Sequence, residues 1–200
     1  MLYVSLTWNG ENRFGGGNHT HVGLKRDGEL FLEHIDGKKI AIDLSHASDQ
    51  LAGDILNYID KKGLQVTPIA SHSNLRAVCD DARNLPDEFA LEIIRREGVI
   101  GFNLVRKFVG EKPPEGLLAH LHHLALLGGE RHHCLGADFF FEGSVAPSVH
   151  FVLPFFYPHF DDSSCYPRLL EPLEGEVRER IAHANFEAFV AREGLHVSCG

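Results

Sequence analysis

The chain has 200 residues, 44% of them hydrophobic and 24% charged, which is the composition of a folded globular domain and not of a disordered segment. A formal charge of −9 excludes a nucleic-acid or anionic-membrane surface, since either needs a basic stripe. No apolar run approaches the roughly 20 residues that cross a bilayer, and residues 1–8 lack the basic start and apolar stretch of a signal peptide.

In chain order, residues 2–7 (LYVSLT) read as a first strand and 39–44 (KIAIDL) as a second. A helix over 49–61 then places Leu51, Ile55, Leu56 and Ile59 on one face. After a third strand at 66–70 (VTPIA), residues 86–96 open with Pro86, carry Asp87 and Glu88 in the first turn and end in Arg95 and Arg96. That is the charge order a helix macrodipole favours. Strands at 99–103 (VIGFN) and 133–137 (HCLGA) flank a helical stretch at 117–127, and 175–192 is the last long helix. Strand–helix alternation implies an α/β fold with a parallel sheet and helices packed outside it. No linker divides the chain, so residues 1–200 are expected to form one domain.

Polar residues gather where these strands end: Thr7, Trp8 and Asn9 after the first, Ser45 and His46 after the second, Ser71, His72, Ser73 and Asn74 after the third. The fourth strand ends in Asn103 and the fifth is followed by Asp138. Functional groups at the carboxyl ends of parallel strands are the rule in (β/α)8 barrels and in open α/β sheets alike. His46 and His72, on consecutive strand ends, are placed to face one point. A closed barrel needs eight strands and about 250 residues. Five strands therefore mean either an open sheet or a barrel without its opening strands.

The runs 43–48 (DLSHAS), 70–74 (ASHSN) and 83–88 (RNLPDE) resemble the membrane (renal) dipeptidase family of zinc metallopeptidases, with 26 residues from His46 to His72 and eleven from His72 to Arg83. Residues 98–103 (GVIGFN), 135–139 (LGADF) and 184–186 (ANF) are similar to later parts of the family, and 3–9 (YVSLTWN) is similar to its bacterial branch. The resemblance implies the C-terminal portion of a (β/α)8 TIM-type barrel, about five βα units, hydrolysing dipeptides, D-residue-containing ones included, with two zinc ions. It implies His46 and His72 as zinc ligands, Arg83 as the group that binds the substrate carboxylate, and Asp138 as the residue that handles the proton. Trp8, where the family has a substrate-binding His, and Asn103 are the further candidates for substrate contact. These types suit the chemistry: imidazole is a common zinc ligand, and Arg grips a carboxylate bidentately.

The family's His-x-Asp pair and bridging Glu have no counterpart here, because Met1 directly precedes the strand that follows them. Two other His-x-Asp triplets occur. His34-Ile35-Asp36 closes a helix ahead of a strand, at the wrong end of a barrel, and His159-Phe160-Asp161 lies in a loop after the last strand. Residues 139–143 (FFFEG) replace a shorter family stretch. Three functions stay open: a zinc dipeptidase whose missing strands are supplied elsewhere, a non-catalytic remnant, and a mononuclear or non-metal hydrolase on a rearranged five-stranded sheet. An incomplete barrel exposes two sheet edges, so the chain is expected to form homo-oligomers or to pair with a separate N-terminal half. Arg83 has an alternative role in pairing with Asp80, Asp81 or Asp87, and Trp8 one in plugging the barrel. His120, His122, His123, His132 and His133 are expected to be solvated or to bridge helices, and Gly15-Gly16-Gly17 to form a flexible loop. Cys79, Cys134, Cys165 and Cys199 show no CxxC spacing, which fits the reducing cytoplasm.

Overall fold

Parallel pairing joins five short strands in chain order: β1 (Tyr3–Ser5), β2 (Ala41–Asp43), β3 (Pro68–Ile69), β4 (Ile100–Phe102) and β5 (His133–Leu135). The register sets Ser5 opposite Asp43 and Asp43 opposite Ile69, and a parallel bridge from Ala70 to Ile100 carries the ladder from β3 to β4. This computed structural model describes residues 1–144 and 154–194. Each strand is shorter than its apolar run. Pairing stops where side chains take over the backbone N–H groups, as at Ser45 and Ser71, which both donate to Asp43 Oδ1 at 2.9 Å.

Between the strands run α1 (Arg26–Ile35), α2 (Asp49–Lys62), α3 (Asp87–Arg95), α4 (Arg106–Val109) and α5 (Glu115–Leu126). At the ends of α2, Ser48 Oγ caps Leu51 N–H at 3.0 Å and Gly63 closes the helix at φ 66°. After β5 come α6 (Tyr166–Leu169), α7 (Gly175–Glu179) and α8 (Asn185–Arg192). The expected single helix at 175–192 is interrupted by a π-helical turn, Arg180–Ala184. Just past that wide turn, buried Asn185 donates from Nδ2 to the carbonyls of Glu130 and His133, a packing demand of the kind π turns serve.

The two sheet faces have different partners, as a period of two requires. Ile42, Leu44, Ala70 and Ile100 join a core with Leu51, Ile55, Phe89 and Ile93 of α2 and α3. Ala41, Ile69, Val99 and Cys134 instead pack on Phe189 and Val190 of α8. Apolar cover on both sides fits strands that carry no polar alternation. The polar side chains start at the opposite, carboxyl ends, where Asp43 and Ser71 sit.

Two glycine positions govern how closely the strands approach. A Cβ on Gly101 would lie 2.0 Å from the Ser71 carbonyl oxygen and 3.0 Å from Gly136 Cα. The loop with Gly15-Gly16-Gly17 is not the flexible segment expected. Its residues are buried, Gly16 and Gly17 form bridges to Glu11 and Ala47, and a Cβ on Gly17 would meet the Trp8 carbonyl oxygen at 1.9 Å. No helix among the described residues is long and apolar enough to cross a membrane. Cys199 lies outside the described residues.

Replacing Gly101 by Ala should destabilise the chain by about 2–3 kcal/mol through backbone overpacking. Urea unfolding of Gly101→Ala beside the parent checks this, and an unchanged midpoint would contradict the close approach.

Candidate active site

The second and third strand ends bring His46 and His72 together, with ring centroids 5.0 Å apart at an interplanar angle of 58°. His46 reaches this place on a left-handed backbone, φ 67°, and Asp138 after β5 does the same at φ 61°. Such conformations in non-glycine residues cluster at functional sites and persist where the surroundings over-determine them.

Hydrogen bonds fix the tautomer of each ring. His46 Nδ1 lies 2.9 Å from Asn9 Oδ1, an oxygen that only accepts, so Nδ1–H is the donor. Ser71 Oγ gives its proton to Asp43 Oδ2 at 2.6 Å and lies 2.6 Å from His72 Nδ1, so Nδ1–H donates there too. Both rings are left with a bare Nε2. Asp43, 2% exposed, accepts four hydrogen bonds in all: from Ser5 Oγ, Ser71 Oγ and the N–H groups of Ser45 and Ser71.

Electrostatics keeps the rings neutral. Burial, then Arg83, His72 and His19, push His46 down to about 3. Burial and Arg83 lower His72 against the pull of Asp138 and Asp43. Neutral imidazoles with free Nε2 atoms are what a metal ion requires, so these two residues fit a zinc ion as two of its donors. Among the described residues no group of three or more His, Cys, Asp or Glu side chains is gathered to hold a metal.

Arg83 is 6% exposed and has no carboxylate within ion-pairing distance among the described residues. The expected alternative of pairing with Asp80, Asp81 or Asp87 is not formed: Asp81 accepts from the Arg83 backbone N–H, and Asp87 pairs with His123. The guanidinium instead donates to Ser73 Oγ at 2.9 Å and to the His72 carbonyl at 3.1 Å, stands over the Phe108 ring, and leaves Nε buried without a partner among the described residues. Burial lowers its pKa to about 10, opposed by Asp138 and Asp43. A buried cation with an unused donor is an anion site in need of an anion.

Asn103 is 1% exposed and fully engaged, its Nδ2 donating to Asp138 Oδ2 at 3.1 Å and to the His72 carbonyl at 3.2 Å. Its oxygen accepts from Val105 N–H at 2.7 Å. The Nδ2 bond holds Asp138 Oδ2. Trp8 is no plug: it is 73% exposed, with its ring 6.3 Å from that of His46. The remaining histidines are structural where buried. His120 bonds to Leu75 N–H and the Val109 carbonyl, His132 to the Gly98 carbonyl, and His123 joins α5 to Asp87 of α3. His133 has a buried Nδ1 with no partner and is pushed down to about 3 by burial. Neither His-x-Asp triplet joins the site, since His34 contacts Lys38 and Asp36 accepts from Gln65 N–H, while His159 is exposed. The sequence had drawn no attention to Asn9, Ser71 and Asp43 as orienting groups. The signal was an acid closing an otherwise apolar strand, KIAID.

Paired histidines and a buried arginine at the carboxyl ends of parallel strands lie where α/β folds place their ligand sites. The chain belongs to the membrane dipeptidase family, peptidase family M19, whose family model matches residues 1–187. An uncharacterized Klebsiella pneumoniae protein, described by its place in the pqqA 5' region, is 30% identical over 190 residues, covering 87% of this chain and 64% of that one. An uncharacterized dipeptidase of Schizosaccharomyces pombe is 28% identical over 149 residues, 70% of this chain and 35% of that one. Among solved structures, dipeptidase AC superposes with a TM-score of 0.81 at 24% identity, over 98% of this chain and 59% of that one. A Rhodobacter sphaeroides metallopeptidase, liganded with a phosphinate mimic of L-Ala-D-Ala, superposes with a TM-score of 0.79 at 24% identity, over 96% and 55%. The chain thus spans less than two thirds of the relatives it matches.

Because His46 and His133 have folded-state pKa values near 3 against 6.5 when free, the unfolded chain binds more protons than the folded one between those values. Stability should therefore be full above about pH 6.5 and fall as pH drops toward 3. Urea unfolding from pH 7.5 to 4.5 reads this slope. His133→Leu should flatten part of it, and an identical slope in that variant would contradict the buried neutral imidazole.

Proposed function

We propose that these residues form the metal-binding, carboxylate-binding and proton-handling part of a zinc-dependent dipeptidase, carried on about five βα units of a (β/α)8 barrel. The observation that carries this reading is the juxtaposition of two neutral imidazoles with free Nε2 atoms and a buried arginine without a carboxylate. Relatives described as dipeptidases and metallopeptidases support it.

In this reading His46 and His72 hold zinc through Nε2, and the remaining donors come from outside these 200 residues, from an N-terminal half on the same or another polypeptide. What zinc supplies when bound is polarisation of the scissile carbonyl and a water made acidic near neutral pH. Arg83 receives the substrate's terminal carboxylate on its free Nε edge, filling a site that otherwise strands a buried charge. Asp138 takes a proton on its carboxylate and returns it to the departing amine, with Asn103 Nδ2 holding Oδ2 in place. Trp8, exposed beside the His46 ring, offers an apolar surface to the substrate. A cytoplasmic location belongs to the same proposal and rests on cysteine use: among the described residues Cys79, Cys134 and Cys165 are free.

A second reading, a non-catalytic remnant that keeps the strand ends, is favoured by the gathering of only two metal-binding side chains among the described residues. Zinc analysis of protein purified without chelators separates the two. Zinc that co-purifies with the parent and is lost in a His46→Ala, His72→Ala double variant supports the dipeptidase reading, whereas a parent without zinc supports the remnant. For Arg83, calorimetry with Ala-Ala and its C-terminal amide should show tighter binding of the free carboxylate. Arg83→Met should erase that difference, a loss of about ten- to a hundred-fold for a charge-assisted contact.

A further inference from the structure

Directly after Asp138, residues 139–142 turn into one wall of a cavity of about 670 Å³ that the site described above does not use. Its apolar surface is aromatic, from Phe139, Phe140, Phe141, Phe156 and Tyr157. Three of these rings are held by one another, with Phe139 against Phe156 at 5.6 Å and Phe140 against Phe156 at 5.2 Å. Phe141 stands 80% exposed at the edge. This is the stretch in which the sequence reads FFFEG.

The same cavity is lined by three carboxylates, Glu142, Asp161 and Asp162. Glu142 Oε1 accepts from the backbone N–H groups of Phe155 and Phe156, and Asp162 Oδ1 accepts from Ser164 N–H. Asp161 makes no hydrogen bond, and none of the three is ion-paired, among the described residues. The chain's own cations nearby take aromatic faces instead: Arg106 sits over Tyr157 at 5.5 Å and Arg168 over Phe160 at 5.9 Å. A neutral apolar guest would displace water from these carboxylates and offer none of them a counter-charge, least of all Asp161. An alkyl stem ending in a positive charge lies along the rings and brings a counter-ion to the acids.

We infer that this cavity is a side-chain pocket for a cationic residue of the substrate, so that the preferred dipeptides contain lysine or arginine. The inference rests on the dipeptide reading and deepens it. Phe139, which lines the cavity, directly follows Asp138, so the cavity wall begins one residue, a Cα spacing of about 3.8 Å, from the carboxylate assigned to proton handling.

The test is calorimetry on the chain as purified, in buffer containing zinc, with Ala-Ala, Lys-Ala, Ala-Lys, Phe-Ala and Ala-Phe. One lysine dipeptide should bind about ten-fold tighter than Ala-Ala, the size of one partly exposed cation–π contact plus one ion pair. Asp161→Asn and Phe141→Ala alter exposed side chains, so the fold should survive, and each should reduce that preference while leaving Ala-Ala unchanged. Equal binding of Ala-Ala and both lysine dipeptides would overturn the inference alone. So would a lysine preference that Asp161→Asn leaves intact, or a preference for the phenylalanine dipeptides over the lysine ones. Failure of every dipeptide to bind, Ala-Ala included, would overturn the dipeptide reading and this inference with it.

Discussion

The carboxylate of Asp43 accepts hydrogen bonds from three consecutive strand ends, and the placement of both histidines follows from it. Its Oδ1 takes the N–H groups of Ser45 and Ser71, which ends the β2 and β3 ladders and sends both chains into their turns. Its Oδ2 takes the hydroxyls of Ser5 and Ser71, which ties in β1 and orients the His72 ring through Ser71. A buried carboxylate is costly unless its lone pairs are used. Here four donors use them, so the group stabilises one arrangement of strands and penalises any slip between them. Register and ring tautomer therefore depend on one side chain.

Charge is divided unequally around this hub. The imidazoles are kept neutral by burial and by the nearby guanidinium, while Arg83 keeps its charge despite burial because its pKa starts so high. One residue thus does two things. It discourages protonation of the ring nitrogens that a metal needs, and it presents an unpaired positive charge to an anion. The Ser45–Ser73 contact at 3.1 Å links the Arg83 partner to the backbone N–H of His72, which donates to Ser45 Oγ. The guanidinium-bearing and imidazole-bearing parts are in this way one hydrogen-bonded unit.

Much of the site was legible in the sequence because it sits on turns that follow apolar runs. His46, His72, Arg83 and Asp138 were candidates from spacing and from the family likeness, and α2 was marked by its apolar face. What stayed hidden depends on contacts between residues some 28 to 38 positions apart, such as Ser71 with Asp43 and Asn9 with His46. Those pairs exist only once the strand register is set, and no local pattern encodes it. The hydrogen bonds of Asn103 stayed hidden for the same reason, since its partners Asn74 and Asp138 lie 29 and 35 positions away. The three glycines looked like slack in the chain because glycine permits both freedom and close contact, and only the neighbouring backbone tells which applies.

The left-handed backbone at His46 and Asp138 has an evolutionary consequence. Holding a non-glycine residue there costs on the order of 1 kcal/mol each, a strain that glycine at either position would relieve and asparagine would lessen. A population of variants screened only for resistance to heat would drift toward those replacements and lose the imidazole and the carboxylate together. Persistence of His46 and Asp138 in a lineage therefore reports selection for what their side chains do, against a steady thermodynamic pull in the other direction.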